Sequence, residues 1–178
     1  MKLTREDVIK KLDNNDKDFE GLNLSELDLS GLDLSGLDLS YAILEDANLY
    51  NVNLEDANLE DANLSNAKLY KANLSNVNLE NANLLYAYLC KANLSNSKLY
   101  NADLRNANLK DIKGKKIDTF HYNKHFAYYC DGILKIGCES KTPEEWLECY
   151  KELGKEHNYT ELEIEMYLRF INMCKDLI

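Results

Sequence analysis

Two histidines and two cysteines lie close together in the last third of the chain, and their side chains are of the types that bind zinc. His121, His125, Cys130 and Cys138 fall within 18 residues. Zinc sites usually contain CxxC or CxH pairs, and this segment has neither. The alternative is that the histidines lie on the surface and the thiols are packed. We favour that alternative and predict no metal site and no cofactor.

Paired carboxylates are the second group with chemical potential, because two neighbouring acids can divide acid and base roles. Glu55-Asp56 and Glu60-Asp61 are examples. They recur at a fixed interval, and nothing near them suggests a cleft or a raised pKa. The chain also has no glycine-rich phosphate loop and no Ser/His/Asp arrangement. We therefore predict that the protein is not an enzyme and has no catalytic residues.

A repeat of five residues underlies these pairs. Leucine occurs at every fifth position from Leu24 to Leu109, without insertion, and the residue two positions earlier is apolar or small in every repeat except at Ser97. Asn or Asp precedes the leucine in 14 of 18 repeats, and Gly, Asn or Asp follows two positions later in 13 of 18. These residue types tolerate left-handed backbone and form local hydrogen bonds, which suits a corner in every repeat.

No straight element keeps a five-residue period on one face. On a helix each leucine would turn by about 140° from the last, and on a strand alternate leucines would face opposite sides. The leucines all point inward only if the chain turns at every repeat, as in a solenoid whose stacked coils pair their backbones. Residues 24–29 match the start of a leucine-rich repeat, but that family has a period of 20–29 residues, and the five-residue period here never pauses.

The pattern A(N/D)LXX, as in Ala47-Asn48-Leu49-Tyr50-Asn51, resembles the pentapeptide-repeat family. The resemblance implies an all-β solenoid, a right-handed quadrilateral β-helix with four pentapeptides in each coil. Phe19 is placed to take the first interior position. The first four small positions hold leucine instead of alanine, which predicts wider or differently turned starting coils.

We predict three domains: a helical cap at residues 1–18, the pentapeptide-repeat β-helix at 19–112, and a small α+β segment at 113–178. Thr4 to Asp7 is typical of a helix start, and the helix would cap the solenoid. In the third domain, Asp131-Gly132 predicts the turn of a hairpin. Thr142 predicts the start of a helix that stops at Gly154, and Thr160 predicts the start of a second helix that continues toward Ile178.

Charge along the repeats is uneven. Acids dominate residues 20–63, whereas bases outnumber acids in residues 64–112. The acidic half either serves solubility or binds a basic groove in a partner. With a coil of 20 residues, one face has a ladder of Tyr50, Tyr70 and Cys90, flanked by Lys68, Tyr88, Lys71 and Lys91. The tyrosines of this face either form a docking strip or pack on themselves or beneath the carboxy-terminal segment. The predicted protein-interaction residues are the following: Glu45, Asp46, Glu55, Asp56, Glu60, Asp61, Tyr50 and Tyr70.

The final helix is apolar on more than one side, so it needs two partners, and we predict a homodimer interface. Its residues are Met166, Phe170, Met173 and Leu177. We expect a cytoplasmic protein, because the amino terminus has no secretory signal and no segment is long enough to span a bilayer. A net charge of −10 disfavours direct nucleic-acid binding.

The predicted function is that of a rigid, non-catalytic scaffold for an unidentified protein partner. The family resemblance implies an alternative, a DNA mimic that binds DNA gyrase, as quinolone-resistance members do. This chain departs from those members, because its acidic surface is confined to the first half of the repeats, the second half is net positive, and no loop interrupts the coils. The stretch Ile136 to Trp146 resembles a carboxy-terminal module of some bacterial pentapeptide-repeat proteins, for which no activity is implied.

Overall fold

The computed structural model describes residues 3–115, 117–122, 125–130, 132–136 and 139–175. The chain divides into two compact units, one up to residue 115 and the other from residue 116 onward. The elements in chain order are α1 (Arg5–Asp13), β1 (Asp118–Tyr122), β2 (His125–Cys130), β3 (Ile133–Ile136), β4 (Glu139–Lys141), α2 (Pro143–Glu156) and α3 (Glu161–Lys175).

The first unit is a β-helix-like stack of 20-residue coils. Residues 20 apart pair in parallel bridges, beginning with Asp18 and Asp38 and ending with Asn93 and Lys113. The bridges form four ladders, each offset from the next by five residues. The first residues of the four ladders, in order, are Asp18, Asn23, Asp28 and Asp33.

The leucines fill the interior, as the five-residue period predicts. Leu64 and Leu84 are completely buried, and Phe19 is 1% exposed at the first interior position. Ser97, the polar exception, is also buried, and its hydroxyl donates to the carbonyl of Leu94 at 2.8 Å. Burying one leucine contributes on the order of 2 kcal/mol before conformational entropy is subtracted.

The corners use left-handed backbone once in every repeat. The residue two positions after each interior leucine has a positive φ, between 53° and 62° at the non-glycine positions from Glu26 to Asp111. The sequence pattern predicts this where the residue is Asn, Asp or Gly. Tyr41, Tyr86, Lys71 and Lys91 adopt the same conformation without those side chains, because the stacked coils fix the backbone on both sides.

Helix α1 precedes the first coil and has the capping box that the sequence predicts. The Thr4 hydroxyl accepts a hydrogen bond from the Asp7 amide, and the Asp7 carboxylate accepts from the Thr4 amide. Val8 is fully buried. The Arg5 guanidinium donates to the carbonyls of Asp28 and Ser30 in the first coil, so the helix is tied to the edge that it covers.

The second unit contains a four-stranded antiparallel sheet in the order β1-β2-β3-β4. The predicted hairpin is present as β2 and β3, with Cys130 paired to Ile133. Asp131 of the predicted turn lies outside the described residues. The sequence analysis predicted only this hairpin, and strands β1 and β4 extend it on both sides. The sheet and the two helices share a core, to which Ala127, Leu134, Trp146 and Ile171 contribute.

Both predicted carboxy-terminal helices are present, but α2 ends at Glu156 and not at Gly154. Gly154 lies inside the helix and is buried. A Cβ atom there would lie 2.7 Å from Cγ1 of Ile164 in α3. The glycine therefore permits close helix packing and does not stop the helix.

Candidate interaction surface

The four ladders separate the acidic residues that the sequence analysis grouped together. Glu45 and Asp46 follow Leu44 on the second ladder, whereas Glu55 and Asp56 follow Leu54 on the fourth. Glu60 and Asp61 belong to the first ladder. The six carboxylates are thus divided among three ladders.

The two predicted tyrosines do lie together, on the third ladder. The rings of Tyr50 and Tyr70 are stacked, with centroids 5.7 Å apart and planes inclined by 11°. Tyr50 is 46% exposed. Cys90 occupies the next position of the same column, which the 20-residue period predicts. The stack holds two large side chains in fixed positions at the surface.

Lysines flank this stack. The ammonium groups of Lys71 and Lys91 lie 5.5 Å and 5.8 Å from the centroid of the Tyr70 ring, within the range of cation–π contacts. A hydrogen bond with the Tyr70 side chain raises the pKa of Lys91 above its ordinary value. Both lysine side chains are therefore held beside the aromatic ring.

Further residues of the third ladder extend the same surface. Lys68 and Tyr88 are its bridging residues in the third and fourth coils, and both side chains are exposed. We call the set the tyrosine–lysine surface: Tyr50, Lys68, Tyr70, Lys71, Tyr88 and Lys91. A groove of about 550 Å³ borders it, lined in part by Lys71, Lys91, Asp111 and Lys113.

Charge differs between ladders as well as along the chain. The third-ladder repeats hold Lys68, Lys71, Lys91 and Lys110, against Asp28 and Asp111. The first-ladder repeats hold Asp18, Glu20, Asp38, Glu60, Asp61 and Glu80, against Lys17 and Lys98. The charge change along the repeats and the lysines beside the tyrosines were predicted from the sequence, but the acidic first ladder was not. Sorting the charges by position within the 20-residue coil reveals it.

Along the ladders, the Asn and Asp side chains form hydrogen bonds between coils. Asn73 donates to Asn53 at 2.9 Å, and Asn93 donates to Asn73 at 3.1 Å. Asp38 accepts from the Ser40 hydroxyl at 2.7 Å, from the Ser40 amide and from Asn58. These bonds, that of the Ser40 hydroxyl first, lower the pKa of Asp38. They satisfy the polar groups of the corners.

The residues considered for zinc are only partly described. Cys138 lies outside the described residues, and so do the side chains of His121 and His125. Cys130 is buried in strand β2. Among the described residues, no group of three or more metal-ligating side chains occurs.

The residues predicted for a dimer interface differ in exposure. Phe170 is 4% exposed and stacks on Phe120 within the second unit, with ring centroids 5.2 Å apart. Met173 is 46% exposed, Met166 is half-buried, and Leu177 lies outside the described residues. Of the three described residues, Met173 has the most exposed side chain.

The repeat and its coil period define a class of protein, the β-helix-like proteins built from five-residue repeats. The family model for pentapeptide repeats matches residues 18–56, 47–84 and 72–111, with eight copies. These matches span more than half of the chain. The chain belongs to the pentapeptide-repeat family. A search of curated proteins finds no match.

Solved structures of several pentapeptide-repeat proteins are similar to this chain. HetL, involved in regulating heterocyst differentiation in the cyanobacterium Nostoc sp. strain PCC 7120, is 32% identical, with a TM-score of 0.35 and 54% of each chain covered. A protein of the Arabidopsis thaliana thylakoid lumen is 31% identical, with a TM-score of 0.32, 53% of this chain and 66% of that one covered. The chain therefore spans about half the length of HetL.

A third similar structure is QnrB1, a plasmid-mediated fluoroquinolone resistance protein. It is 15% identical, with a TM-score of 0.22, and the match covers 54% of this chain and 66% of QnrB1. None of the described helices is long and apolar enough to cross a membrane.

Proposed function

We propose that this protein is a non-catalytic scaffold that binds an acidic segment of a partner protein on the tyrosine–lysine surface. The observation that carries the proposal is the concentration of stacked tyrosines and lysines on one ladder of an otherwise acidic chain. We further propose that the coil stack is the right-handed quadrilateral β-helix that the family resemblance implies, and that the protein acts in the cytoplasm.

The chemistry of the tyrosine–lysine surface suits protein recognition. Tyrosine offers a large contact area and has few rotatable bonds, so little entropy is lost on binding. The Tyr50–Tyr70 stack is already ordered, which lowers that cost further. Lys71 and Lys91 supply positive charge at its edge, and the net charge of −10 disfavours nucleic acid as the partner.

The test is a quantitative pull-down from a lysate of the source organism with a charge-reversed variant. Lys71→Glu/Lys91→Glu removes the positive charge beside Tyr70, and Lys17→Glu/Lys98→Glu makes the same net change on the first ladder. We expect a partner that the wild type and the first-ladder variant both retain and that the third-ladder variant loses. Its binding should weaken as salt is raised.

Two results of the same pull-down would contradict the proposed binding surface. If both double variants lose the same proteins to the same degree, net charge governs binding and the tyrosine–lysine surface does not. A partner whose binding is unchanged by Lys71→Glu/Lys91→Glu also contradicts the proposal. Circular dichroism of each variant establishes that the coils are intact.

The acidic first ladder supports a second candidate function, the gyrase-binding DNA mimic that the family resemblance implies. Glu20, Glu60 and Glu80 share one column of the stack, and like charges in a column resemble the phosphates of DNA. A gyrase supercoiling assay tests this candidate. Inhibition or protection that Glu60→Gln/Glu80→Gln abolishes would support it, and no effect at high protein excess would dismiss it.

We also propose that the protein forms a homodimer through α3. Met173 is exposed on this helix, and Leu162 at its start is 55% exposed. Light scattering with Met173→Glu is the test. A wild-type dimer that becomes a monomer in this variant supports the proposal, and a wild-type monomer at micromolar concentration refutes it.

A further inference from the structure

A cavity of about 190 Å³ lies within the second unit, among α2, α3 and the end of the sheet. Its walls include Trp146 and Tyr150 of α2, Tyr159 from the loop between the helices, and Tyr167 of α3. Trp146 and Tyr167 are each only 3% exposed. Four aromatic rings therefore line the cavity, and those of Trp146 and Tyr167 are already removed from water.

The packing around the cavity fixes these rings in place. The indole N–H of Trp146 donates to the carbonyl of Leu134 at 2.7 Å, which holds the ring against the sheet. The rings of Tyr159 and Tyr167 stack with centroids 5.5 Å apart. Gly154 allows α2 to pack closely against Ile164 of α3, and both residues line the cavity. A site whose walls are ordered in advance costs less entropy when a ligand enters.

The lining contains the carboxylate of Glu139 and the exposed imidazole of His157, and the carboxylate already has a partner. Glu139 contributes to the lining, and its carboxylate accepts a hydrogen bond from the ammonium of Lys141 at 3.0 Å. A charged ligand that enters the cavity loses its hydrating water, and the paired Glu139 carboxylate does not supply it with a counter-ion. This loss of hydration costs free energy. The lining thus favours a neutral ligand.

We infer that this cavity binds a small, neutral aromatic molecule with a single ring. The size agrees, because an engineered apolar cavity of about 150 Å³ in another protein accommodates benzene. Aromatic walls favour an aromatic ligand over an aliphatic one of equal size through stacking and edge-to-face contacts. This site lies in the second unit and is independent of the function proposed for the coil stack.

Trp146 is the only tryptophan of the chain, so its fluorescence reports on this cavity alone. The experiment titrates the full chain with phenol, cyclohexanol and benzoate in parallel. We expect phenol to change the Trp146 emission saturably, and we expect binding at least about tenfold weaker for cyclohexanol and benzoate. If cyclohexanol binds as tightly as phenol, the inference that the ligand is aromatic is refuted. If benzoate binds as tightly as phenol, the inference that the ligand is neutral is refuted.

Two further measurements locate the site. Leu153→Phe places extra volume in the cavity and should weaken phenol binding at least about tenfold, whereas Leu162→Phe, on an exposed position of α3, should leave it unchanged. Nuclear Overhauser contacts between phenol and the Ile164 methyl groups in the wild-type protein test the same point without a variant. A linear, unsaturable emission change or the absence of those contacts would overturn the inference.

Discussion

Asp38 illustrates how single residues stabilise this stack. One carboxylate oxygen accepts from the Ser40 amide, from the Ser40 hydroxyl and from Asn58 in the next coil. Asp28 and Asp33 make the equivalent bonds with Ser30, Ser35 and the asparagines 20 residues later. Each acid therefore joins a corner within its own coil to the coil above it.

The hydrogen bonds at Asp38 predict a dependence of stability on pH. They lower its pKa in the folded state, so the stabilisation is complete above the ordinary aspartate pKa of about 3.9 and is lost as the pH falls through the folded value. Asp38→Asn keeps the acceptor but loses the charge. We expect the wild type to exceed the variant in unfolding free energy at pH 7, and this difference to shrink below about pH 4.

Urea unfolding of both proteins between about pH 3 and pH 7 measures this difference across the titration of the carboxylate. A gap between wild type and Asp38→Asn that stays constant over that range would show that the carboxylate charge does not contribute through these bonds.

Leu64 and Asn66 test the difference between interior and corner positions. Leu64 is completely buried, so Leu64→Lys should destabilise the protein by more than about 4 kcal/mol or prevent folding. Asn66 has a φ of 57°, and Lys71 and Lys91 adopt φ values of 60° and 61° at equivalent corners. Asn66→Lys should therefore cost less than about 1 kcal/mol.

Thermal and urea unfolding of the two variants supply the measurement. Tolerance of both substitutions would mean that Leu64 does not face a packed interior. A severe loss of stability in both would mean that the Asn66 corner does not accept a lysine as the Lys71 and Lys91 corners do.

At the scale of the elements, the packing of α2 against α3 depends on the close contact between Gly154 and Ile164. Replacing a glycine inside a helix by alanine usually stabilises the helix by up to about 1 kcal/mol. Gly154 is predicted to behave oppositely, because an added Cβ would lie 2.7 Å from Cγ1 and 3.0 Å from Cδ1 of Ile164. We expect Gly154→Ala to destabilise the second unit by on the order of 1–2 kcal/mol.

A double-mutant cycle with Ile164→Ala identifies the cause. In the Ile164→Ala background, Gly154→Ala should be neutral or stabilising, because the clashing atoms are gone. If Gly154→Ala is equally destabilising in both backgrounds, the contact with Ile164 is not the reason for the glycine.

The elements also show what the sequence could predict. The three helix starts were predictable because Thr4, Thr142 and Thr160 each precede a residue that completes a local capping pattern. The hairpin of β2 and β3 was also predictable from local sequence, because Asp131-Gly132 is typical of a two-residue turn. Strands β1 and β4 were not predicted, because the connections that join them to β2 and β3 contain no Asn-Gly or Asp-Gly pair. The role of Gly154 was not predicted, because it depends on Ile164 in another helix. Glycine near a helix end favours a stop unless a neighbouring helix needs the space.

At the scale of the whole molecule, the coil period decides which residues share a surface. The stack of Tyr50, Tyr70 and Cys90 was predictable, because it needs only a coil of 20 residues. The acidic pairs were grouped by their nearness in the sequence, and the ladders place them apart. The cavity beside Trp146 had no sequence signal, because four segments of the second unit contribute to it.

The central claim is that residues 20 apart are direct neighbours, since this register assembles the tyrosine–lysine surface. Tyr70→Cys places a thiol one coil from the native Cys90, and Tyr50→Cys places one two coils away. Neighbouring coils lie about 4.8 Å apart, within the Cα range of disulfides, whereas a separation of two coils exceeds it. Mild oxidation followed by peptide mass spectrometry is the measurement. We expect a 70–90 disulfide in the first variant and no 50–90 disulfide in the second. The reverse result or equal yields would contradict the 20-residue register.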